Sequence, residues 1–474
     1  MTDIAPTFID KNTADAVTAF KTLLSKRPLV MAEISDKVAN IIYDIKHNGD
    51  PALLAYGKQF DYISYKVKLI DELMVVPQKK HFDSLSDAAQ TALQVAKKRI
   101  TTFHQKLFEH YQLGQDFSTT DDLAVKLGVR WSAIDAVGIY VPGGLAAYPS
   151  SVLMNAIPAR VAGVKNIIMA CPLGLVDSSH DENFAVEKIL NQYVLAAAYL
   201  AGVSAVLCLG GAGAVAAFAY GTETIKAVDK IVGPGNDYVV EAKRQVFGKV
   251  GIDMMAGPSE ILVLADNDTA IEQTIENKIT WIAFDLISQA EHDPRAMAVL
   301  ITDDKNLADG VVARVADILA EPSNDLDIIA KQKIATSAWQ NYGAVVVVDD
   351  LKQQGAQLAN IMAAEHVEVM TQQPEKLAGF IKHAGAIFLG GYSPEAFGDY
   401  LAGPSHVLPT FQSARFSSGL SIFDFMKRSS MVMGSNMAMD HLGDKIIEMA
   451  NAEKLPHHAK SIAYRLLISQ QAKK

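Results

Sequence analysis

The feature that most constrains this chain is a repeated cycle between Val137 and Phe247: a short apolar run, a glycine-rich turn, then a helical stretch. The first run, Val137-Gly138-Ile139-Tyr140-Val141, offers no polar face to water, so a strand made from it must be covered on both sides. Pro142-Gly143-Gly144 turns the chain, and Ser151 to Ala162 carries a helical pattern. The cycle repeats with a strand over Asn166 to Cys171, a helix over Ala185 to Ala201 and a strand over Ala205 to Leu209. The turn Gly210-Gly211-Ala212-Gly213 opens another helix, and Ile231-Val232 leads through Gly233-Pro234-Gly235-Asn236 into a helix over Asp237 to Phe247. Parallel strands need crossovers, and these helices supply them. After Gly257-Pro258-Ser259-Glu260 a second series predicts strands at Ile261 to Ala265, Ala298 to Thr302, Ala344 to Val348, His366 to Met370 and Ala386 to Leu389.

The expected fold is therefore α/β, with two Rossmann-like parallel-sheet units. Around them, residues 13–111 read as mostly helical, because Ala14 to Leu24, Met31 to His47 and Ser84 to His110 place apolar residues three and four apart. Residues 393–430 read as loop-rich, and a helical tail follows. The expected division is a helical segment 1–34 that packs with the C-terminal part, and a first α/β domain from 35–136 plus 259–420. A second α/β domain, 137–258, would bind a nucleotide, and a small helical tail, 421–474, would contribute to the site.

Charge narrows the function. The chain of 474 residues has 43 basic and 53 acidic side chains and a net charge of −10, with no basic stretch. That argues against a nucleic-acid partner and favours a small-molecule substrate. Both cysteines, Cys171 and Cys208, sit in apolar runs, which argues against a disulfide framework and for a reducing, cytoplasmic setting. The N-terminal residues lack the regions of a signal peptide, and no apolar stretch is long enough to span a membrane.

Six groups of residues could carry chemistry. Gln289 and His292 stand three apart at the end of a helical run that Pro294 closes, so both face one way and offer an amide oxygen and an imidazole to a metal. A plain helix-terminal histidine is the other reading. Glu365-His366 pairs a carboxylate with an imidazole at a helix-to-strand junction, which suits two proton transfers at one place. Asp399 and His406 lie in loop-like sequence, and Glu453, His457 and His458 lie in the tail. Gly211-Ala212-Gly213-Ala214-Val215-Ala216 matches the dinucleotide pattern G-x-G-x-x-A, with Asp229 near the place of a ribose-binding acid. A helix-packing turn explains those glycines as well. Cys171 and Cys208 fall near strand ends where a thiol could trap an aldehyde, although no charge flanks either one to activate it.

Together and in this order, these segments resemble the L-histidinol dehydrogenase family. The matching stretches include Val137 to Gly144, Ser150 to Met154, Gly251 to Glu260, Ser288 to His292, Glu365-His366, Gly398-Asp399-Tyr400, His406 to Thr410, Ser417 to Ser421 and Glu453 to Ser461. The resemblance implies two successive NAD-dependent oxidations of L-histidinol, through bound L-histidinal, to L-histidine. It also implies one Zn2+ per subunit and a homodimer with shared active sites. By position, Gln289, His292, Asp399 and His458 would hold the zinc and border the substrate. His366 would be the base and Glu365 the activator of water. Ser259, His406 and Glu453 would hold the substrate, the Glu453 carboxylate meeting the substrate's ammonium group, and Tyr140 and Asn236 would contact NAD. The chain departs from the family at Gly213, where a cofactor-holding Gln is usual, at a longer segment over Ala270 to Thr280, and at Leu145 and Ala364. Two rivals follow: a paralogue acting on another small polar alcohol such as a sulfonated diol, and, from Gly213, a catalytically weak ligand-binding homologue.

Overall fold

The computed structural model describes residues 4–10, 15–27, 31–61, 63, 66–143, 148–173, 186–255 and 257–471. The chain forms two compact units, one from Met1–Gln105 and Asp135–Asp424, the other from Lys106–Ile134 and Phe425–Lys474. The larger unit holds two six-stranded sheets. The first runs in the spatial order Thr7–Ile9, Ala344–Val347, Met297–Thr302, Glu260–Ala265, His366–Met370, Ala386–Leu389, all parallel. The second runs Met74–Val75, Ala205–Leu207, Asn166–Ala170, Ala136–Tyr140, Lys230–Val232, Gly251–Ile252, parallel except at Met74–Val75.

The period of two in each strand divides the first sheet between two cores. Leu262, Leu264, Val299 and Ile301 pack on one face, and Ile261, Val263, Leu300 and Trp339 on the other. Each fully buried side chain of this size contributes roughly 1.5–3 kcal/mol of transfer free energy. The helix Ile275–Ala290 presents Ile282, Ala283 and Leu286 to the sheet, and Gln289 continues that buried stripe. Thr274 caps its start by accepting from the Asn277 amide at 3.1 Å. A glutamine is thus carried into the interior beyond the apolar residues Ile282, Ala283 and Leu286.

The smaller unit differs from the helical tail expected over 421–474. Met426–Met433 is a strand, antiparallel to Lys126–Ala133, which in turn pairs with Phe117–Thr120. Only then come the helices Asn436–Ala452 and Pro456–Gln471. Most side chains of Met426–Met433 are exposed, so the strand lacks the buried run that marks one in sequence. Sheet membership also cuts across the expected range 35–136 plus 259–420. Met74–Val75 joins the second sheet, and the long helix Met31–Phe60 packs on Gly211–Tyr220 and Asp237–Val246, which also belong to that sheet's layer. A two-residue edge strand has no pattern of its own by which to choose a sheet. The helix expected from Ala185 is resolved into Val186–Ile189 and Gln192–Ala201, with Asn191 capping the second. Ala185, Gly144 and Leu145 lie outside the described residues.

Candidate functional site

Glu365 and His366 enter the first sheet at its amino edge, where His366 begins the strand His366–Met370. Glu260 begins the neighbouring strand, with Ile261 in register with His366. The main chain of Glu260 therefore meets both side chains. Its N–H donates to Glu365 Oε2 at 3.1 Å, and its carbonyl lies 3.2 Å from His366 Nδ1. Gln289 reaches the same ring nitrogen at 3.0 Å. With its nitrogen turned inward, the Gln289 amide donates to Glu395 Oε1 and to the Glu260 carbonyl at 3.1 Å each. With its oxygen inward it faces those acceptors instead. On the other side of the ring, His366 Nε2 has no hydrogen-bond partner and lies 3.7 Å from Asp399 Oδ1.

Asp399 is brought in by a short helical stretch, Glu395–Phe397 followed by the wide turn Gly398–Ala402. Gly398 is required there, because a Cβ would collide with the Phe388 ring. The Asp399 carbonyl lies 3.0 Å from His406 Nδ1, and Ser151 Oγ lies 3.2 Å from His406 Nε2. Ser151 belongs to the second-sheet layer, so this contact joins the amino edge of one sheet to the carboxyl edge of the other. Among the described residues, His292, Glu395 and Asp399 bring ligand atoms within 4.8 Å of one another. Ser259 is half-buried beside Glu260.

The cluster holds more acid than base, and its protonation reflects that. Burial pushes Glu365 up to about 7, against the pull of the His366 charge and with a further push from Glu260. Burial likewise raises Glu395 to about 8. Burial alone would lower His366, but the carboxylates of Glu395, Glu365 and Asp399 outweigh it and hold the imidazole well above its usual value. Burial opposes the ionisation of Asp399, yet its contact with His366 keeps it below the usual carboxylate value. His292 keeps one edge in solvent, while the protein crowding its ring lowers its pKa and favours the neutral imidazole. Burial lowers His406 in the same direction.

The cofactor residues of the sequence analysis meet at the carboxyl edge of the second sheet, where α/β folds place their crevice. A cleft of ≈ 460 Å³ is lined there by Tyr140, Gly210, Gly211, Gly213, Asn236 and Leu53, among others. Gly211 N donates to the Tyr140 hydroxyl at 3.1 Å. Gly233, at φ +107°, passes so close that a Cβ would fall onto the Tyr140 carbonyl, so this turn admits only glycine. Asn236 caps the helix Asp237–Val246 by accepting from Val239 N at 3.2 Å. A Cβ added at Gly213 would meet only Leu53 Cδ1, at 3.4 Å.

Asp229 is not a ribose-binding acid in this arrangement. Its carboxylate accepts from the main-chain N–H groups of Asp135 and Ala136, at 2.9 Å each, ahead of the strand Ala136–Tyr140 and at the sheet's opposite edge. The cysteines are no nucleophiles either: burial pushes Cys171 up to about 12 and Cys208 well above its usual value. Glu453, His457 and His458 belong to the smaller unit and are exposed where Asn436–Ala452 gives way to Pro456–Gln471.

Sequence reasoning missed four residues of this neighbourhood. Glu395 is 2 % exposed, and its position four residues before Asp399, just after Pro394, was the available signal. Asp61 borders the cleft, accepts from Gly210 N at 3.1 Å, and is raised by burial to about 6. The side chains of Glu260 and Arg27 left no signal, because their pairing spans most of the larger unit's sequence.

Comparison with known proteins places these observations in one family. A family model described as histidinol dehydrogenase matches residues 24–466. Histidinol dehydrogenase 1 of Nostoc sp. is 48% identical over 447 residues, which cover 94% of this chain and 95% of that protein. The histidinol dehydrogenase of Rhodospirillum rubrum is 45% identical over 465 residues, covering 97% and 99%. The crystal structure of histidinol dehydrogenase from Elizabethkingia anophelis matches with a TM-score of 0.82 and 32% identity, over 97% of this chain and 98% of that one.

Proposed function

The chain belongs to the histidinol dehydrogenase family, and on that premise we propose that it oxidises L-histidinol through bound L-histidinal to L-histidine, with NAD as hydride acceptor. The observation that carries this reading is the buried Glu365–His366 pair, two proton acceptors held on one residue's main chain. The surrounding carboxylates favour the protonated ring, so His366 takes the proton of the substrate hydroxyl only in its neutral form, at Nε2, with Nδ1–H turned to the Glu260 carbonyl. Glu365, balanced near neutrality, takes a proton from the water that hydrates the aldehyde. His366 returns its proton to the aldehyde oxygen as the water adds, and the neutral ring then takes a hydroxyl proton of the hydrate as the second hydride leaves to NAD. His406 and Ser259 border the place where the substrate lies, and the cleft beside Tyr140, Gly213 and Asn236 would receive NAD, which supplies the hydride chemistry.

The residues fit a metal ion as well. Glu365, Glu395 and Asp399 crowd the site around His366, and an inward-facing Gln289 oxygen would need a positive partner there. Gln289, His292 and Asp399, with His458, would hold zinc through oxygen and neutral imidazole donors. When bound, the ion would anchor the substrate's nitrogen atoms and offset the carboxylates around His366. Glu453 would meet the substrate ammonium. Glu453 and His458 stand exposed on the smaller unit, and in a homodimer with shared sites a partner copy supplies them.

The test is NADH formed per molecule of limiting L-histidinol, before and after chelation. Two NADH, lost on chelation and restored by zinc, is the expected result. One NADH would confine the enzyme to the alcohol step. None from folded protein would overturn the substrate and direct attention to other small polar alcohols.

A further inference from the structure

We propose that Arg27 is a positioning residue for this oxidation, acting through Glu260 on both proton acceptors at once. Arg27 lies just beyond the helix Ala16–Ser25, far in sequence from the site, yet it is only 7% exposed. Its Nη1 donates to Glu260 Oε1 and its Nη2 to the Pro258 carbonyl, both at 2.5 Å. The guanidinium also lies over the Phe411 ring, 4.4 Å from its centre. Phe411 N donates to the same Glu260 oxygen at 3.1 Å. Two distant segments are thus tied to one buried carboxylate.

The consequence for the chemistry lies in what Glu260 does with its other atoms. Its N–H donates to Glu365, and its carbonyl lies against His366 Nδ1 and orients the ring. A shift of the 258–260 turn would move both acceptors together, and small misplacements of reacting groups are costly. Arg27 holds that turn twice, by the Pro258 carbonyl and by the Glu260 side chain. The planar fork of a guanidinium can span both oxygens, whereas an ammonium offers one point charge. Arg27 also balances a carboxylate that would otherwise stand unpaired beside Glu365, and an unpaired buried charge displaces its surroundings.

The inference rests on Glu365 and His366 being the proton acceptors, so the experiment measures both. Arg27→Met should lower kcat for L-histidinol and for L-histidinal by about tenfold or more, with the KM for NAD within about twofold of wild type. Arg27→Lys should recover part of the loss. Wild-type kcat in folded Arg27→Met would overturn the role of Arg27, including where only the melting temperature falls. If Arg27→Met does not fold, Arg27→Lys decides: reduced kcat at unchanged KM for NAD supports the proposal, and wild-type kcat overturns it. Glu365→Gln and His366→Asn run in parallel. Wild-type kcat in those two would remove the acid–base reading itself, a different failure from one confined to Arg27.

Discussion

At the scale of single residues, the decisive property of the site is the number of carboxylates buried around one imidazole. Glu365 gains its near-neutral pKa chiefly from burial, so it changes charge within the working range of the enzyme. It serves as a base only when ionised. Oxidation of L-histidinal should therefore rise with pH through about 7 and fall away below it. Glu365→Gln should flatten that limb and cost about 10²–10⁴ in kcat. The pH profile of kcat with the aldehyde as substrate checks this, and an unchanged acidic limb in Glu365→Gln would assign the ionisation elsewhere. Glu365-His366 was legible as a pair in the sequence, because two proton-transfer groups stood together at a helix-to-strand junction. Glu395 and Arg27 were not legible. Neither residue type nor spacing tells which charge ends up beside which when the partners come from distant segments.

At the scale of elements, the helix Asp87–His110 carries an unusual cost at its C-terminal half. His104 is 0% exposed, and neither ring nitrogen has a partner. Burial lowers its pKa from 6.5 to about 4. The folded state therefore holds it neutral, while the unfolded chain protonates it below about 6.5. The stability tied to the neutral ring is full above that pH and is lost as pH falls towards 4, about 3 kcal/mol in all. His104→Leu should remove this part of the acid sensitivity. Urea unfolding at pH 7.5 and at pH 5 measures it, and an equal loss in both proteins would show that His104 does not titrate on unfolding. The two parallel sheets were legible as elements, since runs such as Glu260–Ala265 and Met297–Thr302 have no polar face to expose. Met426–Met433 was missed because an exposed strand in a three-stranded sheet needs no such run.

At the scale of the whole molecule, the site gathers on opposite edges of its two sheets. The cleft beside Tyr140, Gly213 and Asn236 lies at the carboxyl edge of the second sheet, and the Glu365–His366 pair lies at the amino edge of the first. The Ser151–His406 contact joins them. If a homodimer shares its sites, two inactive variants should rescue one another. Glu365→Gln mixed with His458→Ala and reassociated should regain about a quarter of wild-type activity, since half the dimers are mixed and each carries one intact site. Neither variant alone should recover. A mixture that stays inactive after exchange would mean that each chain supplies its own His458.

The sequence by itself determined the α/β class, the central parallel strands of both sheets and the family, because these depend on local apolar patterning and on short motifs kept in order. The short edge strands Thr7–Ile9 and Gly251–Ile252 carried no such pattern. The sequence also singled out Gln289, His292, Glu365, His366, Asp399 and His406, which the fold brings into one neighbourhood. Only the tertiary structure decided that Met74–Val75 extends the second sheet, that Asp229 braces a strand instead of meeting a cofactor, and that Arg27 closes on Glu260. The physical reason is the same in each case. Strand pairing at an edge, a carboxylate's choice of donor and a buried ion pair are settled by which distant segments meet, and no window of sequence contains both halves of such a contact.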